Sequence, residues 1–316
     1  VEVSPPFGHL MDVLLVGSIA YDSVSSPAGE VTHALGGSAT YGGLASSFHT
    51  NRLGLGTVGL VGVVGTDFTD EDRAVLTSNG ADVSGIETAE GETFRWEGAY
   101  HGAMAEAETK ATHLNVFEHF QPNVPEHAQG PKVTLCANLH PALQASVLDQ
   151  TKASRLTMLD SMNLWITIAR EELLEVMKRV DLLIINDGEV RMLADDENLV
   201  RAAQTVKSMA QVATLVVKRG EHGVLAFHGD EIIALPAFPT SNVCDPTGCG
   251  DTFAGTLAAY LALGEGPIER NELRAALVAS TVSASFTLES FGVTALRTMT
   301  EEAFDARIDE FESILR

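Results

Sequence analysis

One stretch of the chain gathers residue types suited to handling an anion: Asp245-Pro-Thr-Gly-Cys-Gly-Asp251, followed at once by Thr252-Phe-Ala-Gly. Pro246 and the two glycines stop regular structure, and a helix of small residues, Gly250–Leu263, is expected directly after them. Backbone amides at a helix start lack partners within the helix and carry partial positive charge, so they attract negative groups. Gly248 and Gly250 permit the close approach and positive φ that such a nest needs, and Cys249 adds its amide between them. Asp251 has two readings. It caps the helix, or it stands as a carboxylate beside a phosphate cradle. Phosphoryl transfer needs positioning, charge stabilisation and a group to take the proton of the attacking hydroxyl. On the second reading Gly248, Cys249 and Gly250 hold the migrating oxygens, and Asp251 deprotonates the hydroxyl.

Other candidates lie at expected strand ends, where ligands of a parallel sheet collect. Asn186 and Glu189 sit where a strand passes into a helix. They either cap that helix or organise Mg2+, which commonly takes one or two carboxylates plus phosphate oxygens and water. Lys218 pairs with phosphate or covers the sheet edge. Asp160 and Asn163, and Asn138 and His140, end two further strands. Phe94, Trp96 and Tyr100 either pack on each other or present a ring to the pocket, where a nucleoside ring would stack. Gly54-Leu-Gly-Thr-Val-Gly59 matches the dinucleotide fingerprint in letters only. A helix precedes these glycines and a strand follows, the reverse of what pyrophosphate binding requires. A nicotinamide dehydrogenase is therefore set aside. No lysine follows a glycine, so a Walker A loop is absent, and no His-Glu-x-x-His or Cys-x-x-Cys occurs.

The elements that must position these residues alternate along the chain. Strands are expected at Val13–Val16, Thr57–Val64, Val133–Ala137, Leu156–Asp160, Leu182–Asn186 and Leu215–Lys218. Helices are expected at Ser38–Phe48, after Thr69 and Asp70, and at Pro141–Gln150, Glu171–Arg179, Leu199–Gln211, Asn271–Phe286 and Glu301–Ile314. This alternation implies an α/β fold, a doubly wound and mostly parallel sheet with helices on both faces. Asp22–Leu35 and Thr93–Phe117 show polar/apolar alternation instead and are read as a small β-sheet lid inserted into a domain spanning 11–316. Residues 1–10 read as an N-terminal extension.

Of 316 residues, 45% are hydrophobic, enough for a large core and too many for disorder. The longest apolar stretch, Phe253–Leu263, is shorter than the roughly 20 residues of a bilayer span. Three cysteines argue for a reducing, cytoplasmic setting. Twenty basic against 43 acidic residues, a net charge of −23, speak against nucleic acid as a partner. Only six residues are lysine. Such an acid-rich, lysine-poor surface resembles proteins of high-salt cytoplasm, where ions screen self-repulsion.

The segment 245–255 is similar to the carboxy-terminal signature of the ribokinase-like carbohydrate kinases, the PfkB family, and the resemblance extends over most of the chain from Met11. It implies that Asp22, in Val16-Gly-Ser-Ile-Ala-Tyr-Asp22, bonds substrate hydroxyls. Gly36 and Gly37 would form a substrate-binding turn and lid hinge; Thr40-Tyr41 stands where many relatives carry asparagine. Asn186 and Glu189 match the element that organises Mg2+ and phosphates through water. Gly220 and Gly223 match a turn along the nucleotide, Asp245 and Thr247 resemble positions for a monovalent cation such as K+, and Val61–Asp67 matches a structural strand and turn. Where the resemblance does not decide, Asp245 and Thr247 equally suit an Asx turn before Pro246. The implied activity is transfer of the γ-phosphoryl group of ATP to a hydroxyl of a sugar, sugar alcohol or related small molecule. The alternatives are a nucleoside kinase and a non-catalytic ligand-binding relative. The lid sheet has edges through which two copies could pair as a homodimer.

Thermal unfolding measured against KCl concentration tests the charge reading: the midpoint should climb between low and molar salt. A midpoint independent of salt removes it.

Overall fold

Short runs of Val, Leu and Ile bounded by glycine or acid become the middle of a large sheet, because both faces of a parallel sheet are covered. The computed structural model describes residues 11–104 and 106–316; the segment 1–10, read above as an extension, lies outside them. In chain order the strands are β1 (Met11–Val16), β2 (Ala20–Ser26), β3 (Gly29–Gly36), β4 (Thr57–Gly65), β5 (Asp82–Ala89), β6 (Phe94–Tyr100) and β7 (Ala107–His113). They continue as β8 (Val133–Cys136), β9 (Leu156–Asp160), β10 (Leu182–Asn186), β11 (Thr214–Lys218), β12 (Val224–His228) and β13 (Glu231–Leu235).

Nine of these form one sheet in the order β13-β12-β11-β10-β9-β8-β1-β4-β5, and four form a second in the order β3-β2-β6-β7. The large sheet is parallel except at β11-β12-β13, which is antiparallel. Alternate side chains serve opposite faces. Leu182, Ile184 and Val216 join a core with the helices Ser38–Arg52, Cys249–Leu261 and Arg270–Leu288. Leu183, Ile185, Leu215 and Val217 join another with the helices Asp187–Ala194 and Leu199–Ala210. The doubly wound architecture with a separate β lid is therefore the observed one.

Local expectations hold closely where caps and periodicity are strong. Leu156–Asp160, Leu182–Asn186, Pro141–Gln150 and Glu301–Ile314 have the expected bounds. Thr69 accepts a bond from the Asp72 amide at the start of Asp70–Thr77, whereas Asp70 lies inside the first turn rather than capping it. The helix expected at Glu171–Arg179 runs from Arg170 to Met177. β5 and the hairpin β12-β13 were not anticipated, although Gly229-Asp230 between the hairpin strands is a two-residue turn signal. The lid strands end at His113; residues 115–119 form a 3-10 turn whose Val116 and Phe117 join the cluster under β1 and β4. Gly54 follows a helix and precedes β4, so the decoy fingerprint is a helix-to-strand turn. Among the described residues no helix is long and apolar enough to cross a membrane.

The helices Ser38–Arg52 and Cys249–Leu261 cross at backbone distance. A Cβ placed on Gly255 would lie 2.1 Å from the Gly42 carbonyl oxygen, so only glycine fits. A Cβ on Gly42 would in turn lie 3.3 Å from the Asp251 carbonyl oxygen, so the crossing includes the first turn of the second helix. Gly255→Ala should overpack the crossing at a cost of about 2 kcal/mol, lowering the thermal midpoint by about 3 °C. An unchanged midpoint would show that the helices separate freely.

Candidate active site

Gly248 takes φ +78°, a left-handed value that admits glycine readily, and ends the loop from Asp245. A Cβ there would strike the Tyr41 ring at 2.4 Å, so the buried Tyr41 side chain props the loop from below. The helix Cys249–Leu261 then starts with no side-chain cap, leaving its first amides unclaimed by a capping residue. The Cys249 thiol donates to the Ala284 carbonyl oxygen at 3.5 Å. Burial pushes its pKa well up, with Asp245 and Asp251 adding to the shift, so Cys249 offers the site its backbone and not a thiolate.

Asp251 is only half-buried, not sealed into the core. Burial raises its carboxyl to about 7; the charge of Asp160 adds to the rise, while Lys218 and its own backbone amide oppose it. A carboxyl tuned to that range is suited to accepting a proton near neutrality. Lys218 at the end of β11 donates to both carboxylate oxygens of Asp160 at the end of β9, at 3.0 and 2.9 Å. Burial alone would lower the lysine pKa, but Asp160, Glu189 and Asp251 raise it, so the ammonium stays charged.

Asn186 and Glu189 realise a capping box. Asn186 N donates to Glu189 Oε2 at 2.8 Å, Asn186 Nδ2 to Oε1 at 2.7 Å, and Glu189 N to Asn186 Oδ1 at 2.8 Å. Burial raises the Glu189 carboxyl to about 7, with Lys218 pulling the other way. Gly220 lies in an exposed turn at φ +52°. Gly223 is required by packing, since a Cβ would lie 2.1 Å from the Leu235 carbonyl oxygen. Asp245 is buried and accepts the Thr247 amide at 2.9 Å on Oδ1, while its Oδ2 has no partner.

The other half of the site rises from β2. Asp22 is buried, and a Cβ on Gly36 would fall 2.0 Å from its Oδ2, so the glycine makes room for the carboxylate. Burial raises Asp22 to about 7, reinforced by the charges of Asp245 and Asp251 and opposed by the Gly37 amide. The lid folds onto the nest loop. Ser26 Oγ donates to the Cys244 carbonyl oxygen at 2.7 Å, and Thr247 Oγ1 donates to Tyr100 Oη at 3.2 Å. Asp67, in the turn after β4, anchors the lid by accepting Thr93 N at 2.7 Å, Thr93 Oγ1 at 2.6 Å and Arg95 Nη2 at 3.1 Å. Phe94 stacks on Phe117, whereas Trp96 pairs in register with Asp22 and lies over Gly98, on the lid face that Asp22 occupies.

Asp22, Asp245, Asp251, Lys218 and Glu189 thus share one electrostatic neighbourhood, with Gly250 against the Lys218 ammonium. Asn138 and His140 are structural: Asn138 accepts from Trp165 Nε1 at 2.8 Å, and His140 Nδ1 accepts the Ala142 amide at 3.1 Å. Asn163 begins a short helix. The Lys218–Asp160 pair, the Tyr41 prop and the Thr247–Tyr100 bond were not foreseen from the sequence.

The chain matches the model described as pfkB family carbohydrate kinase over residues 10–299. It is 30% identical to the cytidine kinase of Thermococcus kodakarensis over 266 residues, 82% of this chain and 91% of that relative. A putative ribokinase II of E. coli in complex with ATP and Mg2+ has the same fold, with TM-score 0.74 and 18% identity, covering 95% of this chain and 100% of that one. The Burkholderia thailandensis nucleoside kinase in complex with inosine aligns at TM-score 0.76 and 20% identity, covering 94% and 97%.

With Asp251 near 7, turnover should fall as pH drops through about 7, because the protonated carboxyl no longer accepts a proton. Lys218→Met removes the charge that lowers this pKa, so the acid limb of the rate profile should move to higher pH. A limb that stays in place, or moves down, separates Lys218 from Asp251.

Proposed function

The chain belongs to the PfkB family of carbohydrate kinases, and from that premise we propose how its residues divide the phosphorylation of a small-molecule hydroxyl. Asp22 and the Gly36–Gly37 turn hold the acceptor beneath the lid. Asp251 takes the hydroxyl proton as the acceptor oxygen bonds to the terminal phosphorus of ATP and the bond to the bridging oxygen breaks, ADP leaving with the electron pair. The amides of Gly248, Cys249 and Gly250 receive the oxygens of the migrating group. The observation that carries this reading is the placement of Asp251, a half-buried residue with a neutral-range carboxyl, in the first turn of a helix whose start is uncapped.

ATP would lie between the Asn186–Glu189 element, Lys218, the Gly220–Gly223 turn and the last helices. Mg2+ would neutralise phosphate charge there. Among the described residues no group of three or more His, Cys, Asp or Glu forms a metal cage, and the buried, capping Glu189 suits a contact through water better than direct ligation. The unpartnered buried Oδ2 of Asp245 fits a monovalent cation such as K+, with Thr247 beside it. Lid closure excludes water, which would otherwise compete as acceptor. β3 and β7 leave exposed edges through which a second copy would pair.

A nucleoside is the acceptor best supported, a sugar or polyol being the second reading. Support comes from the cytidine kinase likeness across 82% of the chain and from Trp96, whose indole shares the lid face of Asp22 and suits a flat ring. ATP turnover measured across ribose, fructose phosphate, inositols, adenosine and cytidine should be greatest with a nucleoside; stimulation by a free sugar alone overturns that assignment. Asp251→Asn should retain ADP binding and lose turnover by about 10²-fold or more. A variant within about twofold of the parent would falsify the role of Asp251 as base.

A further inference from the structure

Asp160 and Lys218 end strands that do not touch. β10 lies between them, with Ile184 beside Asp160 and Asn186 beside Lys218, so the ammonium crosses the end of β10 to reach both carboxylate oxygens. The two side chains are 5% and 19% exposed. A buried ion pair of this kind adds little net stability, because desolvation offsets the attraction. Its consequence lies in where it places the lysine. A Cβ built on Gly250 would stand 3.2 Å from Lys218 Nζ, so the ammonium rests against the backbone of the amide nest. That nest is the amino end of the helix Cys249–Leu261, itself partially positive. Two positive features converge on one point. The arrangement favours an anion that touches both.

We propose that Asp160 is a positioning residue, which holds the Lys218 ammonium against Gly250 so that the migrating phosphoryl group meets amides on one side and lysine on the other. The inference rests on the reading of Gly248–Gly250 as the phosphoryl site. Lysine has a flexible four-carbon stem and no fixed donor geometry, so a second anchor is needed to keep it there. Without Asp160, the remaining carboxylates in its field are Glu189 and Asp251. A lysine drawn to Asp251 would occupy the base, and one drawn to Glu189 would leave the nest.

A double-mutant cycle on the full chain tests this, with Asp160→Asn, Lys218→Met and the pair compared for kcat and for KM of ATP and of the best acceptor. Thermal unfolding and calorimetric ADP binding certify each variant as folded. Lys218→Met should lower kcat by about 10²-fold, the scale of losing one donor to a developing charge, with acceptor KM within about twofold. Asp160→Asn should lower kcat by about ten- to a hundredfold through misplacement of the lysine, again with acceptor KM little changed. In the Lys218→Met background, the same Asp160→Asn change should alter kcat by less than about twofold, since residues acting as one unit are not additive.

An equal loss in both backgrounds means that Asp160 acts without the lysine and overturns the proposal, as does an Asp160→Asn single variant with parental kcat. Should Asp160→Asn fail to fold, Gly250→Ala replaces it in the cycle, because its methyl group presses on Lys218 Nζ. That change should slow turnover only where Lys218 is present; equal slowing in both backgrounds overturns the proposal. Intact turnover in Asp251→Asn would defeat the base assignment alone, because the cycle reads the lysine independently of which group takes the proton.

Discussion

The charge balance at the carboxyl ends of the strands governs the rest of this molecule. Asp22, Asp160, Glu189 and Asp251 bring carboxylates into a low-dielectric mouth, and Lys218 is the ammonium that stands among the last three. Burial of several acids near one cation cannot satisfy all of them as anions, so their proton affinities rise, and Asp22, Glu189 and Asp251 reach about 7. The same compression that would be a liability in a structural core makes proton exchange near neutrality accessible.

Clearance is the second organising constraint. Several chemically relevant side chains lie where a neighbouring glycine lacks a Cβ: Asp22 against Gly36, Tyr41 against Gly248, and Lys218 against Gly250. Gly255 against Gly42 does the same for whole helices. The site is shaped as much by missing methyl groups as by the groups that react. Tyr41 illustrates this packing, since its buried ring fills the space against Gly248 where a Cβ would stand.

The lid is tied to the rest of the molecule at both ends. Asp67 fastens its base, while Ser26 and Tyr100 fasten its far end to the loop that leads into the nest. Thr247 therefore contacts the lid with its side chain and Asp245 with its amide, so the small sheet and the loop before the helix Cys249–Leu261 share hydrogen bonds.

Much of this was legible from residue order alone. Pro246, Gly248 and Gly250 mark the break before a small-residue helix, and period-two alternation separates lid strands from the buried runs of the main sheet. Asn186 and Glu189 announce a capping box by their three-residue spacing, and that is the bond they make. What sequence determined was thus local: where backbone turns, which amides go unpaired, which faces are apolar. Only tertiary structure decided that β10 lies between β9 and β11, that Lys218 meets Asp160 across 58 residues, and that Tyr100 meets Thr247 across 147. The physical reason is that strand order is settled by packing of whole helices against the sheet, and spacing along the chain carries no record of which strand ends become neighbours.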